Sequence, residues 1–240
     1  MQQVFIKEQV EVNQYVALDE KQSHHLLHVL RMKKDTCFRV VDGAGNRYMA
    51  SLQIIEKEAW AKIDQKIEES AERKVKVTLL MGLIKKDKWD FCVQKSTELG
   101  VNRIVPFDSK RTIVKASEEK GDKKVQRWNK IAMEAAQQCK RDVVPEIEMP
   151  LSLKEACVQY QSDLNLVAYE SMMENSALIR DVVKDAQSIT VVIGPEGGFY
   201  ESEIEFLKEK GYCCITLGKR ILRAETAALY VLSALDAILE

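Results

Sequence analysis

From Val75 onward the sequence alternates short, almost wholly apolar runs with stretches of helical periodicity; the apolar runs are VKVTLLMG, VNRIVPF, LNLVAY, SITVVIG and YCCITLG. Strands that lack a polar face must be buried on both sides, which a parallel sheet covered by helices provides and a half-wet antiparallel sheet does not. The spacing predicts helices from about Asp87 to Leu99, near 120–140, near 175–185 and near 200–210. A last helix, from about Glu225 to Leu239, is rich in Ala and Leu and is expected to be well buried. Gly100 stands where a left-handed helix cap is wanted.

The first 70 residues follow a different rhythm. Short β segments (QVFIK, CFRVVD, RYMASLQII, WAKIDQKI) surround one helical stretch, DEKQSHHLLHVLR, whose Leu26, Leu27, Val29 and Leu30 favour one side. Asp42-Gly43-Ala44-Gly45-Asn46 supplies turn residues between two strands. A small β-barrel over residues 1–70 is therefore expected, joined through the charged run EESAERK to an α/β domain over 71–240.

Composition narrows the function classes. No apolar run approaches the roughly 20 residues needed to cross a bilayer, and MQQVFIKEQVEV lacks a basic region followed by an apolar stretch, so a cytosolic protein is expected. The six cysteines form no CxxC pair and read as reduced core thiols; His24 and His28 have helical ligand spacing without a partner, so no metal is expected. The net charge of −1 conceals an asymmetry. Arg73 to Lys130 holds 16 Lys or Arg against 7 Asp or Glu, so that stretch carries +9 and the remainder −10. Such a cluster fits either a nucleic-acid surface or a helix surface laced with salt bridges.

Two segments carry chemistry. Ile193-Gly194-Pro195-Glu196-Gly197-Gly198 follows a strand and precedes a helix, and its glycines permit close backbone approach, as a ligand loop or a tight turn. It matches neither of the usual glycine-rich phosphate loops. In Leu217-Gly218-Lys219-Arg220-Ile221-Leu222-Arg223-Ala224-Glu225-Thr226-Ala227 a strand runs through a glycine into three cations and then a helix. Cations oppose the dipole at a helix N-terminus, so Arg220 and Arg223 are expected to face an anion or an acidic partner.

GPEGG after one strand and LGxRILRAETA after the next resemble the trefoil-knotted SPOUT methyltransferases, and more narrowly the ribosomal RNA small subunit methyltransferase E family. Lys95-Ser96-Thr97-Glu98-Leu99-Gly100-Val101, Lys110-Arg111, Glu134-Ala135-Ala136-Gln137-Gln138-Cys139-Lys140-Arg141 and Pro145 are similar to family segments in family order. So are His25, Val29, Leu30, Arg31 and the Asp42-Gly43 turn. The chain departs from the pattern at its first strand, where Gln2-Gln3-Val4-Phe5 stand in place of an expected arginine, and around Tyr169 and Glu170.

The resemblance implies a C-terminal SPOUT α/β-knot (trefoil) domain with a mostly parallel sheet, preceded by a small PUA-like β-barrel that binds RNA. It implies transfer of a methyl from S-adenosylmethionine to N3 of a uridine in 16S ribosomal RNA, as naked RNA or assembled small subunit, by a homodimer. A SPOUT enzyme of another RNA, or a non-catalytic assembly protein, is the alternative. The loops at 193–198 and 217–223 are expected to end neighbouring strands and converge on the donor. Leu217, Ile221 and Leu222 would enclose its adenine, Gly194, Pro195, Glu196, Gly197 and Gly198 would lie along its ribose and methionine, and Gly218 would leave space. Arg223 is the candidate to stabilise the uridine anion, with Glu196 or Glu225 as base. Arg31, Lys85, Lys88, Arg111, Lys123, Lys124, Arg127 and Arg141 become phosphate contacts, while Trp89 and Trp128 are expected in the core.

Overall fold

A computed structural model describes residues 1–111, 118–169, 177–183 and 186–239. The chain divides into two compact units, Met1–Glu72 with Ala136–Val143, and Arg73–Ala135 with Val144–Glu240.

In the first unit, β1 (Gln3–Phe5), β2 (Tyr15–Ala17), β3 (Cys37–Val41), β4 (Arg47–Ile55) and β5 (Glu58–Ile67) form one sheet in the order β1-β3-β4-β5-β2. Only β1 and β3 run parallel; the other pairs are antiparallel. Alternate residues of β4 and β5, among them Tyr48, Ala50, Leu52, Ala59, Ala61 and Ile63, point inward with Phe38 and Val40, which is the period-two burial of a sheet with one wet face. The helical stretch is α1 (Glu20–His24), opened by a capping box between Asp19 and Gln22, then a π-helical turn, His25–Val29. Leu26 is fully buried while Val29 is 57% exposed, so the expected apolar side is only partly used.

Charge stitches this unit together. Asp142 is 4% exposed and accepts from Arg39 Nη2 at 2.5 Å, Arg47 Nη1 at 3.2 Å, Ser70 Oγ at 2.8 Å and the Ala71 amide at 2.9 Å. Arg141, 3% exposed, grips Glu72 through Nε at 3.1 Å and Nη2 at 2.6 Å. Gln3, fully buried, donates to the Arg141 carbonyl at 2.7 Å, so the segment that stands in place of the expected arginine puts one of its two glutamines in the interior. Burial alone would raise the Glu72 carboxyl, yet the bonds and charge of Arg141 hold it below its ordinary range. Asp42 is treated likewise: burial opposes, and donors from Asn46, Ala44 and Val10 prevail.

In the second unit, β6 (Lys76–Gly82), β7 (Arg103–Asp108), β8 (Glu146–Ile147), β9 (Leu151–Ser152), β10 (Leu164–Ala168), β11 (Ser188–Ile193) and β12 (Cys213–Ile215) form a sheet in the order β12-β10-β11-β6-β7-β8, with β9 also pairing β7. All its pairings are parallel. This is the α/β class expected from the apolar runs, and successive residues serve opposite faces. Val77, Leu79, Met81, Leu166, Val191 and Ile193 join one apolar cluster, and Leu80, Val167 and Val192 join the other. Helices α2 (Lys86–Glu98), α3 (Glu118–Cys139), α4 (Leu153–Gln159), α5 (Ile179–Val182), α6 (Glu201–Glu209) and α7 (Ala224–Leu239) connect the strands.

Trp89 of α2 and Trp128 of α3 are 1% and 5% exposed with ring centroids 5.2 Å apart, as core residues rather than surface platforms. Gly100 takes φ +77° and ends α2 as expected. The last helix corrects its expectation. Ala224, Ala227, Ala228, Val231, Leu232 and Leu235 are buried, but Tyr230 and Ile238 are 46% and 42% exposed, so α7 buries one face only. No described helix is long and apolar enough to cross a membrane.

Candidate functional site

The two glycine-bearing loops meet at the carboxyl end of the parallel sheet, where ligands of such sheets are expected. Their strands are not neighbours: β10 lies between β11 and β12. That corrects the expected adjacency, and it explains the cavity. The intervening strand supplies Ala168 and Tyr169, and the two loops rise on either side of a space of about 630 Å³. Gly194, Pro195, Glu196, Gly197 and Gly198 line one wall with Phe199, while Thr216, Leu217, Gly218, Arg220, Ile221, Leu222 and Arg223 line the other. Lys88 and Arg111 close the rim. Tyr169 and Thr216 were missed by motif reading; only their position just after an apolar strand marked them. Glu170 lies outside the described residues.

Local chemistry fixes the first loop. Gly198 donates its amide to the Pro195 carbonyl at 2.9 Å and takes φ +69°, a conformation that glycine adopts without strain. The loop lies directly on β6: a Cβ at Gly82 would come within 2.5 Å of the Pro195 nitrogen, so any side chain there would displace it. Phe199, 6% exposed, stacks on Phe107 with centroids 6.4 Å apart and anchors the loop's far end. Glu203, buried in the first turn of α6, accepts from the Tyr200 amide at 2.8 Å and from the Lys110 amide at 3.1 Å, tying the segment after β7 to this loop. Arg111 follows, donating to the Gly197 carbonyl at 2.9 Å with its guanidinium 4.3 Å from the Tyr200 ring centre. In the second loop Gly218 takes φ +99° and donates to Thr216 Oγ1 at 3.2 Å. Ile221 is 80% exposed although it lines the cavity.

The charged residues separate into two groups. Arg220 and Arg223 face the cavity, and no described residue forms an ion pair with either. Lys88 is committed: its Nζ lies 3.2 Å from Glu196 Oε1 and 3.4 Å from Glu225 Oε1. Beneath them, burial pushes the Cys92 thiol up to about 12, so it stays protonated and is no nucleophile.

Of the expected phosphate contacts, Arg31, Lys85 and Lys123 are exposed and Lys124 is half-buried. Three others are already spent. Arg141 is buried against Glu72, which corrects its assignment to a surface; Arg127 pairs with Asp90, and Lys88 with the two glutamates. Further cations of the basic stretch are neutralised locally, Arg103 by Glu146 and Glu148 and Lys95 by Glu98. Among the described residues no group of three or more His, Cys, Asp and Glu is arranged to hold a metal ion, and the His24 and His28 rings lie tilted at 43° with centroids 5.2 Å apart.

Comparison with known proteins follows this geometry. Residues 71–236 match the family model of the RNA methyltransferase domain, and residues 18–64 that of the RNA methyltransferase PUA domain. Ribosomal RNA small subunit methyltransferase E of Bacillus subtilis strain 168 is 35% identical over 98% of this chain and 96% of its own. The protein of the same name from Mesomycoplasma hyopneumoniae strain 232 is 38% identical over 72% and 74%. A crystal structure of a ribosomal RNA small subunit methyltransferase E from Neisseria gonorrhoeae bound to S-adenosyl methionine aligns with a TM-score of 0.90 at 32% identity, covering 99% of this chain and 98% of that one.

Proposed function

The chain belongs to the ribosomal RNA small subunit methyltransferase E family, and from that premise we propose that it transfers a methyl from S-adenosylmethionine to N3 of a uridine in 16S ribosomal RNA. The observation that carries this reading is the cavity between the two glycine loops. Its volume of about 630 Å³ lies within the roughly 300–1,000 Å³ common for small-molecule sites.

The lining fits the donor. A Cβ at Gly198 or Gly218 would meet nothing within 4 Å, so the backbone is bare there to an approaching ligand, while the missing Cβ of Gly197 makes room for Arg111, which a Cβ would meet at 3.0 Å. Leu217, Ile221 and Leu222 offer an apolar side for the adenine, and Gly194 to Gly198 a polar backbone edge for the ribose and methionine. When bound, S-adenosylmethionine supplies a methyl on a cationic sulfur that leaves as a neutral thioether.

The protein's own residues must handle the acceptor. Uridine N3 carries a proton at neutral pH, so that proton has to leave as the nitrogen lone pair forms its bond to carbon. Glu196 or Glu225 accepts the proton, and Arg223, in no ion pair with any described residue, holds the negative charge that spreads over O2 and O4. Holding acceptor and donor in line supplies much of the acceleration.

Residues 1–70 serve as the PUA-like RNA-binding domain and 71–240 as the methyltransferase domain. Arg31, Lys85, Arg111, Lys123 and Lys124 contact phosphates, and ribosomal RNA as substrate sets the work in the cytoplasm. The exposed Ile221, Tyr230 and Ile238 support pairing with a second copy. Calorimetry with S-adenosylmethionine, followed by transfer of a labelled methyl to small subunits from a strain lacking the gene, tests the assignment. Donor binding with label on another RNA would transfer the site to a different substrate, and no donor binding would remove the enzyme.

A further inference from the structure

Lys88 occupies the first turn of α2 and is the one described cation that touches Glu196. Its ammonium is shared between Glu196 of the first loop, at 3.2 Å, and Glu225 of the first turn of α7, at 3.4 Å. The two carboxylates are not equivalent. Lys88 and Glu196 line the cavity, whereas Glu225 does not. The Glu225 side chain is 13% exposed against 22% for Glu196, and its Oε2 is buried with no hydrogen-bond partner among the described residues.

We propose that Glu196 is the base, and that Glu225 and Lys88 are positioning residues: Glu225 fixes the ammonium, which in turn aims Glu196 toward the cavity. This rests on the methyltransferase reading of the same site. The geometry has a physical logic. The loop backbone is fixed but a glutamate side chain has several rotamers, and a cation held from behind by a helix-borne anion selects one. Glu225 gains in turn from the N-terminal end of α7, where negative charge is stabilised.

Among the described residues, the other charged groups that line the cavity with Glu196 are Arg111 after β7, Glu201 at the start of α6, and Arg220 and Arg223 after β12. Arg111 donates to the Gly197 carbonyl. Removing Lys88 therefore withdraws the one described ammonium in contact with Glu196 while leaving those groups in place.

The test compares kcat and KM of wild type, Glu196→Gln, Lys88→Met, Lys88→Arg and Glu225→Gln, with S-adenosylmethionine affinity measured for each by calorimetry. Glu196→Gln should lower kcat by roughly 10²-fold or more. Lys88→Met and Glu225→Gln should each lower kcat by roughly tenfold, with KM and donor affinity little changed. Lys88→Arg should restore most of the loss. A Lys88→Met enzyme with the wild-type kcat, or a Glu225→Gln variant that loses as much as Glu196→Gln, overturns the relay but leaves the methyltransferase reading standing. A wild-type protein that transfers no methyl overturns both.

Discussion

The N-terminal unit and the cavity of the second unit use the same side chains in opposite ways. Around Asp142 and Glu72, two carboxylates and three arginines, Asp142 and Arg141 buried and the others half-buried, are paired and hydrogen-bonded until little of their charge is free. Around the glycine loops, Arg220 and Arg223 stand open and Lys88 is divided between two acids. A saturated cluster resists change because removing one partner strands another in low dielectric. An unsaturated one is able to act on what enters, since its field is not already cancelled. Counting charges by segment, as the excess of +9 from Arg73 to Lys130 invites, does not separate these uses.

The comparison is broken most directly at Asp142. Asp142→Ala leaves Arg39 and Arg47 without their acid and should cost about 3–5 kcal/mol in denaturant unfolding, with donor binding at the cavity intact in the folded protein. A cost below about 1 kcal/mol, the value of an exposed pair, would mean that the cluster is ornamental. At the cavity the expectation reverses. Arg223→Ala should leave stability almost unchanged and lower kcat by roughly 10²- to 10³-fold with similar donor affinity. Equal rates would remove Arg223 from the chemistry.

Acid sharpens the contrast. Glu72 and Asp42 titrate below their ordinary values in the folded protein. Their contribution is therefore fully present above those ordinary values, 4.5 and 3.8, and is lost as pH falls through the lower folded ones. The N-terminal unit should thus lose stability on acidification below about pH 4.5. Glu72→Gln should flatten that dependence when unfolding is followed against pH; an unchanged slope would assign the acid sensitivity elsewhere.

The parallel sheet was legible because its strands are apolar on both faces, and the two loops because glycine next to strand ends has few other uses. What escaped the sequence is what depends on long-range order. Nothing local says that β10 separates β11 from β12, so Ala168 and Tyr169 could not be placed in the cavity. Nothing in Arg141 distinguishes it from Lys123: one is 3% exposed against Glu72, the other open, and only tertiary contacts decide. Residues 136–143 group with the N-terminal unit although some 60 residues of the other unit precede them, a partition invisible to periodicity. The smallest expected effect lies at those open cations. Lys123→Ala should reduce the salt dependence of RNA affinity by about one in the log–log slope, with no change in stability. Arg141→Ala should do the reverse, and matching slopes would restore Arg141 to the RNA surface.

The central claim is that the cavity carries a methyl donor against a uridine of the small subunit. Small subunits from a strain lacking the gene, incubated with purified protein and S-adenosylmethionine and then mapped by mass spectrometry, measure it directly. The account predicts that one uridine of 16S ribosomal RNA gains a single methyl on N3, and that Arg223→Ala slows the gain by the same roughly 10²- to 10³-fold. A folded, donor-binding preparation that leaves every 16S uridine unmodified would contradict it.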